Sequence, residues 1–114
     1  SDGVTRFVLS VGVAYGSDVE ATKRILLEVA HSLPHHAQSP QPSVVFRRFG
    51  DSALEFQLRT YLSSLDHWTE FVDTLHSRVD QRFREAGIDI AFPQRVVHLR
   101  GNGPVEVTPT PPTP

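Results

Sequence analysis

The spacing of apolar residues alternates along the chain between the two-residue period of a strand and the roughly 3.6-residue period of a helix. From the first residue onward, the segments follow in the order strand, helix, strand, strand, helix, strand. This is the order of the split βαβ arrangement, in which two helices cover one face of an antiparallel sheet. The pattern therefore predicts an α+β, ferredoxin-like βαββαβ sandwich, with the first and third strands in the centre of the sheet.

Two of the predicted strands alternate clearly. In Phe7–Tyr15 the odd-numbered residues form an apolar face, and Ala53–Leu62 has a similar face made by even-numbered residues. The inward residues of the latter are Leu54, Phe56, Leu58 and Leu62. A short turn separates Val44–Phe49 from Ala53–Leu62, so these two strands are predicted to pair as a hairpin. Arg47 and Arg48 interrupt the alternation of Val44–Phe49, which leaves its buried face undecided.

Two helices are predicted from capping residues and apolar spacing. Ser17 with Glu20 matches a capping box, and the helix that follows runs to about Leu33 and stops at Pro34. Its expected buried stripe is Val19, Thr22, Leu26, Val29, Ala30 and Leu33. The apolar residues of the second helix are Trp68, Phe71, Val72, Leu75, Val79 and Phe83. Gly87 is expected just past its C-terminal end.

The composition excludes several classes of function. The chain has 114 residues, enough for one domain, and its 11 basic and 13 acidic residues give a net charge of −2, unlike the basic surface of nucleic-acid-binding proteins. Without cysteine it has neither disulfides nor thiol chemistry. No apolar run approaches the roughly 18–20 residues that span a bilayer. The chain also lacks methionine, so we expect a piece of a longer protein that carries any membrane part elsewhere.

No catalytic, cofactor-binding or metal site is predicted from the sequence. His35 and His36 lie in a proline-rich loop and are expected to be solvated. His67 and His76 are nine residues apart on the second helix, a spacing that does not stack metal ligands, so both are expected at its surface. The acidic residues in first turns of helices, where they favour the helix dipole, are Asp18, Glu20, Asp66 and Glu70. We therefore expect a protein that is not an enzyme.

The segment after Gly87 has no obvious partner in so small a sheet. A short extended stretch reaches Pro93, which interrupts a strand ladder, and a last strand is predicted at Arg95–Arg100. An unpaired strand invites pairing with another chain, which makes oligomerisation the favoured interpretation and leaves pairing within its own sheet open. The residues expected at this oligomer interface are Arg95, Val96, Val97, His98, Leu99 and Arg100.

Two stretches carry a recognisable motif. In residues 7–18 a strand with Val-Ala-Tyr leads into a helix capped by Ser or Asp. In residues 83–94 a helix ends in Gly-Ile and continues into an Ile-x-Phe-Pro-Gln motif. The residues of this second motif are Ile90, Ala91, Phe92, Pro93 and Gln94. In this order and spacing, the stretches resemble the cytoplasmic C-terminal domain of the MscS-like small-conductance mechanosensitive channel family, over roughly residues 6–99.

The resemblance implies a part of a homo-heptameric channel that opens under membrane tension and releases solutes during hypo-osmotic shock. This domain would belong to a cage on the cytoplasmic face of the bacterial inner membrane and would reach the membrane only through upstream segments. In the family, the strand after the Phe-Pro-Gln motif joins copies from other subunits in a small parallel barrel, which here assigns that role to Arg95–Arg100. No cofactor or nucleic acid is implied, and the loop 34–43 and the Thr/Pro tail depart from the family pattern.

Four segments are expected along the chain. Residues 1–5 are a disordered N-terminal remnant, and residues 6–94 form the ferredoxin-like domain. Residues 95–100 are the strand for subunit contact, and residues 101–114 are a disordered tail rich in proline and threonine.

A second function remains open at this point, namely a regulatory domain that binds a small metabolite at a subunit interface. It depends on analogy with other ferredoxin-like folds. Such a domain needs a polar, glycine-containing loop after the first strand, and Gly16, Ser17 and Asp18 are a short version of one.

Overall fold

An antiparallel sheet with two helices packed on one face forms the part of the chain that the computed structural model describes, residues 3–91. The strands are β1 (Thr5–Val13), β2 (Ser43–Phe49) and β3 (Leu54–Leu62). The helices are α1 (Val19–Ser32) and α2 (Trp68–Glu85), and a single 3-10 turn, Leu65–His67, precedes α2. The α+β class, the antiparallel sheet and the two helices predicted from the sequence are confirmed.

The sheet has the order β1-β3-β2, so β3 is its central strand. Leu58 of β3 lies opposite Leu9 of β1 and Val44 of β2, which places apolar side chains in rows across the helix-facing side. All five even-numbered residues of β3 are buried, and its odd-numbered residues are partly exposed. The alternation predicted for this strand is therefore confirmed.

Within the described residues, the segment after α2 forms a single β-bridge where the βαββαβ order predicts a fourth strand. After α2 the chain turns back, and Ile90 forms an antiparallel bridge with Val13 at the free edge of β1. This contact gives β1 neighbours on both sides at its C-terminal end, although β1 is an edge strand of the three-stranded sheet.

A β-bulge explains why the sequence of β2 did not show its buried face. Phe46 lies opposite Phe56, whereas Arg48 lies opposite Glu55, so Arg47 is an extra residue without a partner. Before the bulge Val44 and Phe46 face the helices and pack against the core. The Phe46 ring also stacks on the ring of Phe56, with 4.9 Å between their centroids.

The N-cap of α1 is Asp18, which corrects the prediction of Ser17. The Asp18 carboxylate accepts a hydrogen bond from the backbone N–H of Ala21, 3.0 Å away, and therefore satisfies one of the free donors of the first turn. A carboxylate at this position also favours the positive end of the helix dipole. Ile25 is buried as well and was missed in the predicted stripe.

Helix α2 buries four large apolar side chains in the core. Its fully inward residues are Phe71, Leu75, Val79 and Phe83. At about 1.5–3 kcal/mol each, their burial contributes about 6–12 kcal/mol before conformational entropy is subtracted, as an upper estimate. Trp68 lies at the start of the helix and stays 37% exposed, so the buried stripe of α2 is narrower than predicted.

Helix α2 ends in a Schellman motif, with Gly87 just past the helix as predicted. Gly87 has a φ of 73°, and its N–H donates to the carbonyl of Arg84. The N–H of Ile88 donates to the carbonyl of Phe83, and both of these side chains are buried. This turn reverses the chain and directs it toward the edge of β1.

Candidate subunit interface

The structure describes the chain up to residue 91 and therefore stops before the predicted interface. Ile90 and Ala91 of the family motif are described, whereas Phe92, Pro93 and Gln94 lie outside the described residues. The same is true of Arg95–Arg100, so the predicted last strand stays a prediction.

Asp89–Ala91 lies along Gly12–Ala14, and we call this pair of segments the exit edge. The N–H of Ala14 donates to the carbonyl of Asp89, and the N–H of Ala91 donates to the carbonyl of Gly12, both over 2.9 Å. Two backbone hydrogen bonds around one bridge fix the direction of the chain as it approaches residue 92.

Gly12 allows Ala91 to approach β1 closely. A Cβ atom at this position would lie 3.0 Å from the carbonyl oxygen of Ala91 and 3.1 Å from the Cβ of Ala53. Both distances are shorter than ordinary van der Waals contact. The sequence contains a signal for this contact, since a glycine inside a strand often marks a close backbone approach.

Tyr15 connects the exit edge to the turn between β2 and β3. Its hydroxyl donates a hydrogen bond to the carbonyl of Gly50, and its ring stays 51% exposed. Tyr15 was expected on the apolar face of the first strand, but β1 ends at Val13 and Tyr15 lies beyond it. This tyrosine therefore holds two loops at the same end of the sheet.

The sheet face opposite the helices is mixed polar and apolar, and we call it the open sheet face. Val8 on β1 lies opposite Arg59 on β3, and both Val8 and Val45 are more than a third exposed. Arg59 donates two hydrogen bonds to the side-chain oxygen of Gln57 on the same strand. Ala14 lies beyond the end of β1, at the exit edge.

An ion pair and an exposed aromatic ring flank the bulge of β2. The guanidinium of Arg48 donates to the Glu55 carboxylate over 2.8 Å, and this hydrogen bond raises the pKa of Arg48. Phe49 follows and is 72% exposed, with its ring edge-on to that of Phe46.

The loop proposed for metabolite binding uses its polar groups internally. The carboxylate of Asp18 caps α1, and the carbonyl of Asp18 accepts from the Thr22 hydroxyl. The N–H of Ser17 donates to the carbonyl of Ala14. These bonds explain the loop as a helix start and leave fewer polar groups to hold a ligand.

Two of the histidines expected at the surface, His35 and His67, are brought together by the fold. The ring of His35 lies flat against the ring of His67, although 31 residues separate them along the chain. His36 hydrogen-bonds through Nδ1 with the carbonyl of Leu33, and His76 does the same with the carbonyl of Val72.

In residues 3–91, neither helix is both long enough and apolar enough to cross a membrane.

Comparison with known proteins identifies the family. The model of the family described as "Mechanosensitive ion channel MscS, C-terminal" matches residues 7–90. The chain is 43% identical to the mechanosensitive channel MscK of Escherichia coli over 108 residues, and 40% identical to an uncharacterized MscS family protein of Haemophilus influenzae over 109 residues. These alignments cover 95% and 96% of this chain but only 10% of each relative.

The fold agrees with a solved structure of the same family. The crystal structure of Helicobacter pylori MscS in its closed state matches with a TM-score of 0.72 and 21% sequence identity, and covers 88% of this chain and 40% of that one. At this identity the likeness establishes the fold alone. Since the family model matches from β1 to the exit edge, the chain belongs to the MscS family of mechanosensitive ion channels, as a C-terminal domain.

Proposed function

We propose that this chain is a cytoplasmic cage and oligomerisation domain of a homo-heptameric mechanosensitive channel that releases solutes on hypo-osmotic shock. The observation that carries the proposal is the family match over residues 7–90, which ends at the exit edge. One relative that aligns with 95% of this chain is named as a mechanosensitive channel, and this domain spans about 10% of its length.

The exit edge supports a role in assembly. Asp89–Ala91 covers the free edge of β1 at one end only, through a single bridge within the described residues. The next segment with a strand pattern is Arg95–Arg100, in which three of the six residues are apolar and the other three are arginine or histidine. A strand of this kind is stabilised by pairing with other strands, and copies from neighbouring subunits supply them in the proposed barrel.

The domain also suits the cytoplasmic side of a membrane channel. It contributes a folded core and an exit point, while the pore and the tension sensor belong to other segments of the parent protein. We propose that the parent lies in the bacterial inner membrane and that this domain faces the cytoplasm as part of a cage through which solutes pass.

The test compares two deletions in the full-length parent channel. Removing residues 95–100 is expected to reduce the heptamer measured by native mass spectrometry in detergent, and to reduce survival of hypo-osmotic shock in bacteria that lack their own mechanosensitive channels. Removing residues 108–114, which contain only threonine and proline, is the matched control and should leave both unchanged. An unchanged heptamer mass after the first deletion would refute the assembly role.

A further inference from the structure

Three side chains with metal-binding atoms meet between the loop after α1 and the start of α2. They are His35 in the loop, His67 at the end of the 3-10 turn and Glu70 in the first turn of α2. One ligand atom from each lies within 4.8 Å of the other two. We call these residues the His-His-Glu cluster, and the proposed channel function does not require it.

The backbone holds His35 in place from both sides. The carbonyl of His35 accepts from the N–H of Ser63, and the N–H of Ala37 donates to the carbonyl of Tyr61, both over 2.8 Å. The residue between them, His36, forms a bridge with Leu62. The loop is therefore attached to the end of β3, directly before the turn that carries His67.

His35 itself has an uncommon backbone conformation. Its φ of 70° lies in the left-handed region, which costs free energy for residues other than glycine. Such residues persist where the surrounding structure fixes them, and they are frequent at ligand-binding positions. The bonds made by its neighbours fix His35 in this conformation with its ring against His67.

The distances within the cluster fit a tetrahedral ion. Two ligand atoms bound at about 2.1 Å in a tetrahedral zinc site lie about 3.4 Å apart. Nε2 of His35 and Oε1 of Glu70 are 3.2 Å apart, close to this value. The two imidazole rings are parallel within 6°, with centroids 3.6 Å apart, so one ring must turn about its Cβ–Cγ bond to point a nitrogen at the ion. This torsion is broad for histidine.

The donor set selects the class of metal. Two imidazole nitrogens and one carboxylate oxygen suit zinc and its neighbours among the divalent transition metals, whereas calcium and magnesium prefer sites made of oxygen. Three protein ligands leave a fourth position for water or for a further ligand. The side chains of His35 and Glu70 are 29% and 57% exposed, so an ion reaches them from solvent.

We propose that His35, His67 and Glu70 bind one divalent ion of the zinc class, which cross-links the loop after α1 to the start of α2. The bound ion replaces the direct hydrogen bond between His35 and Glu70. It also stabilises the folded chain, because the ligands are brought together only in the fold.

The test measures zinc binding by isothermal titration calorimetry, with zinc chloride added to the chelator-treated 114-residue chain. One saturable site is expected. The variants His67→Gln and Glu70→Gln should each lower the affinity about ten-fold or more, since changes to outer-shell groups alone already cost this much. Glu70→Gln keeps an oxygen that accepts the hydrogen bond of His35, so it separates metal binding from that bond.

His76→Gln is the matched control, because His76 lies on the same helix and outside the cluster. Its zinc affinity should equal that of the unaltered chain, and circular dichroism checks that all variants are folded. X-ray absorption of the zinc-loaded chain should show nitrogen and oxygen ligands with imidazole scattering. Absence of a saturable site would overturn the proposal. So would folded His67→Gln and Glu70→Gln variants that bind zinc as tightly as the unaltered chain.

Discussion

Gly12 determines how closely the chain returns to β1 after α2. Its missing side chain leaves room for the carbonyl oxygen of Ala91, to which no bulkier residue could come so near without displacement. The hydrogen bond from the Ala91 N–H to the Gly12 carbonyl depends on this approach. One residue near the C-terminal end of β1 therefore controls the geometry of the exit edge.

Replacing Gly12 with valine is expected to destabilise the domain by about 1–3 kcal/mol, the usual cost of forcing extra atoms into a packed contact. Ser10→Val is the matched control, because Ser10 is exposed on the same face of β1, where valine favours a strand. Urea unfolding of both variants measures the free energy of unfolding. Equal stability of the two variants would show that the close approach at Gly12 is unimportant.

The N-cap of α1 shows how precisely the start of a helix can be predicted from single residues. Ser17 and Asp18 are both good N-caps, and the capping-box pattern favoured Ser17, whereas the structure uses Asp18. A helix start is therefore predictable within one residue, but the choice between adjacent caps depends on the backbone path out of β1.

At the scale of elements, polar contacts join the two helices beside the buried core. Arg82 on α2 donates to Glu28 on α1 over 2.5 Å, and Arg78 donates to the carbonyl and the hydroxyl of Ser32. The hydrogen bond from Arg82 lowers the pKa of Glu28 below its ordinary value of 4.5, and the charges of Arg82 and Arg24 act in the same direction.

This contact predicts a pH-dependent coupling between α1 and α2. Because the pKa of Glu28 is lower in the folded state, its contribution to stability is present above the ordinary carboxyl pKa and is lost as the pH falls through the folded value. A double-mutant cycle of Glu28→Gln and Arg82→Gln should show favourable coupling at neutral pH and none well below 4.5. Both side chains are exposed, so the coupling is small.

Urea unfolding at the two pH values and low ionic strength measures this coupling, and salt should reduce it at neutral pH. A coupling that is the same at both pH values would mean that ionised Glu28 does not contribute through Arg82.

The elements differ in how far the sequence predicts them. β3 alternates without interruption because one face is buried along its whole length. The strand and four of its five inward residues were predicted, and the fifth is Thr60. β2 contains a bulge at Arg47, and an inserted residue changes the face of every residue after it, so its pattern was not interpretable. Secondary structure is local, and a bulge is decided by pairing with the neighbouring strand.

At the scale of the whole molecule, the order of elements predicted the fold class, because few topologies accommodate that order. The meeting of His35 with His67 was not predictable in this way. It depends on how the loop after α1 attaches to the end of β3, through contacts between residues distant in sequence. The family motif was recognised, but its last residues and the predicted interface strand lie outside residues 3–91.

The central claim is that this domain ends in a strand that joins subunits of a channel. Cryo-electron microscopy of the full-length parent channel tests it most directly, by showing which strands pair with Arg95–Arg100. The account predicts seven copies of this segment in a parallel barrel around the symmetry axis, each leading from an exit edge in which Ile90 bridges Val13. Pairing of Arg95–Arg100 with strands of its own subunit alone would contradict the account.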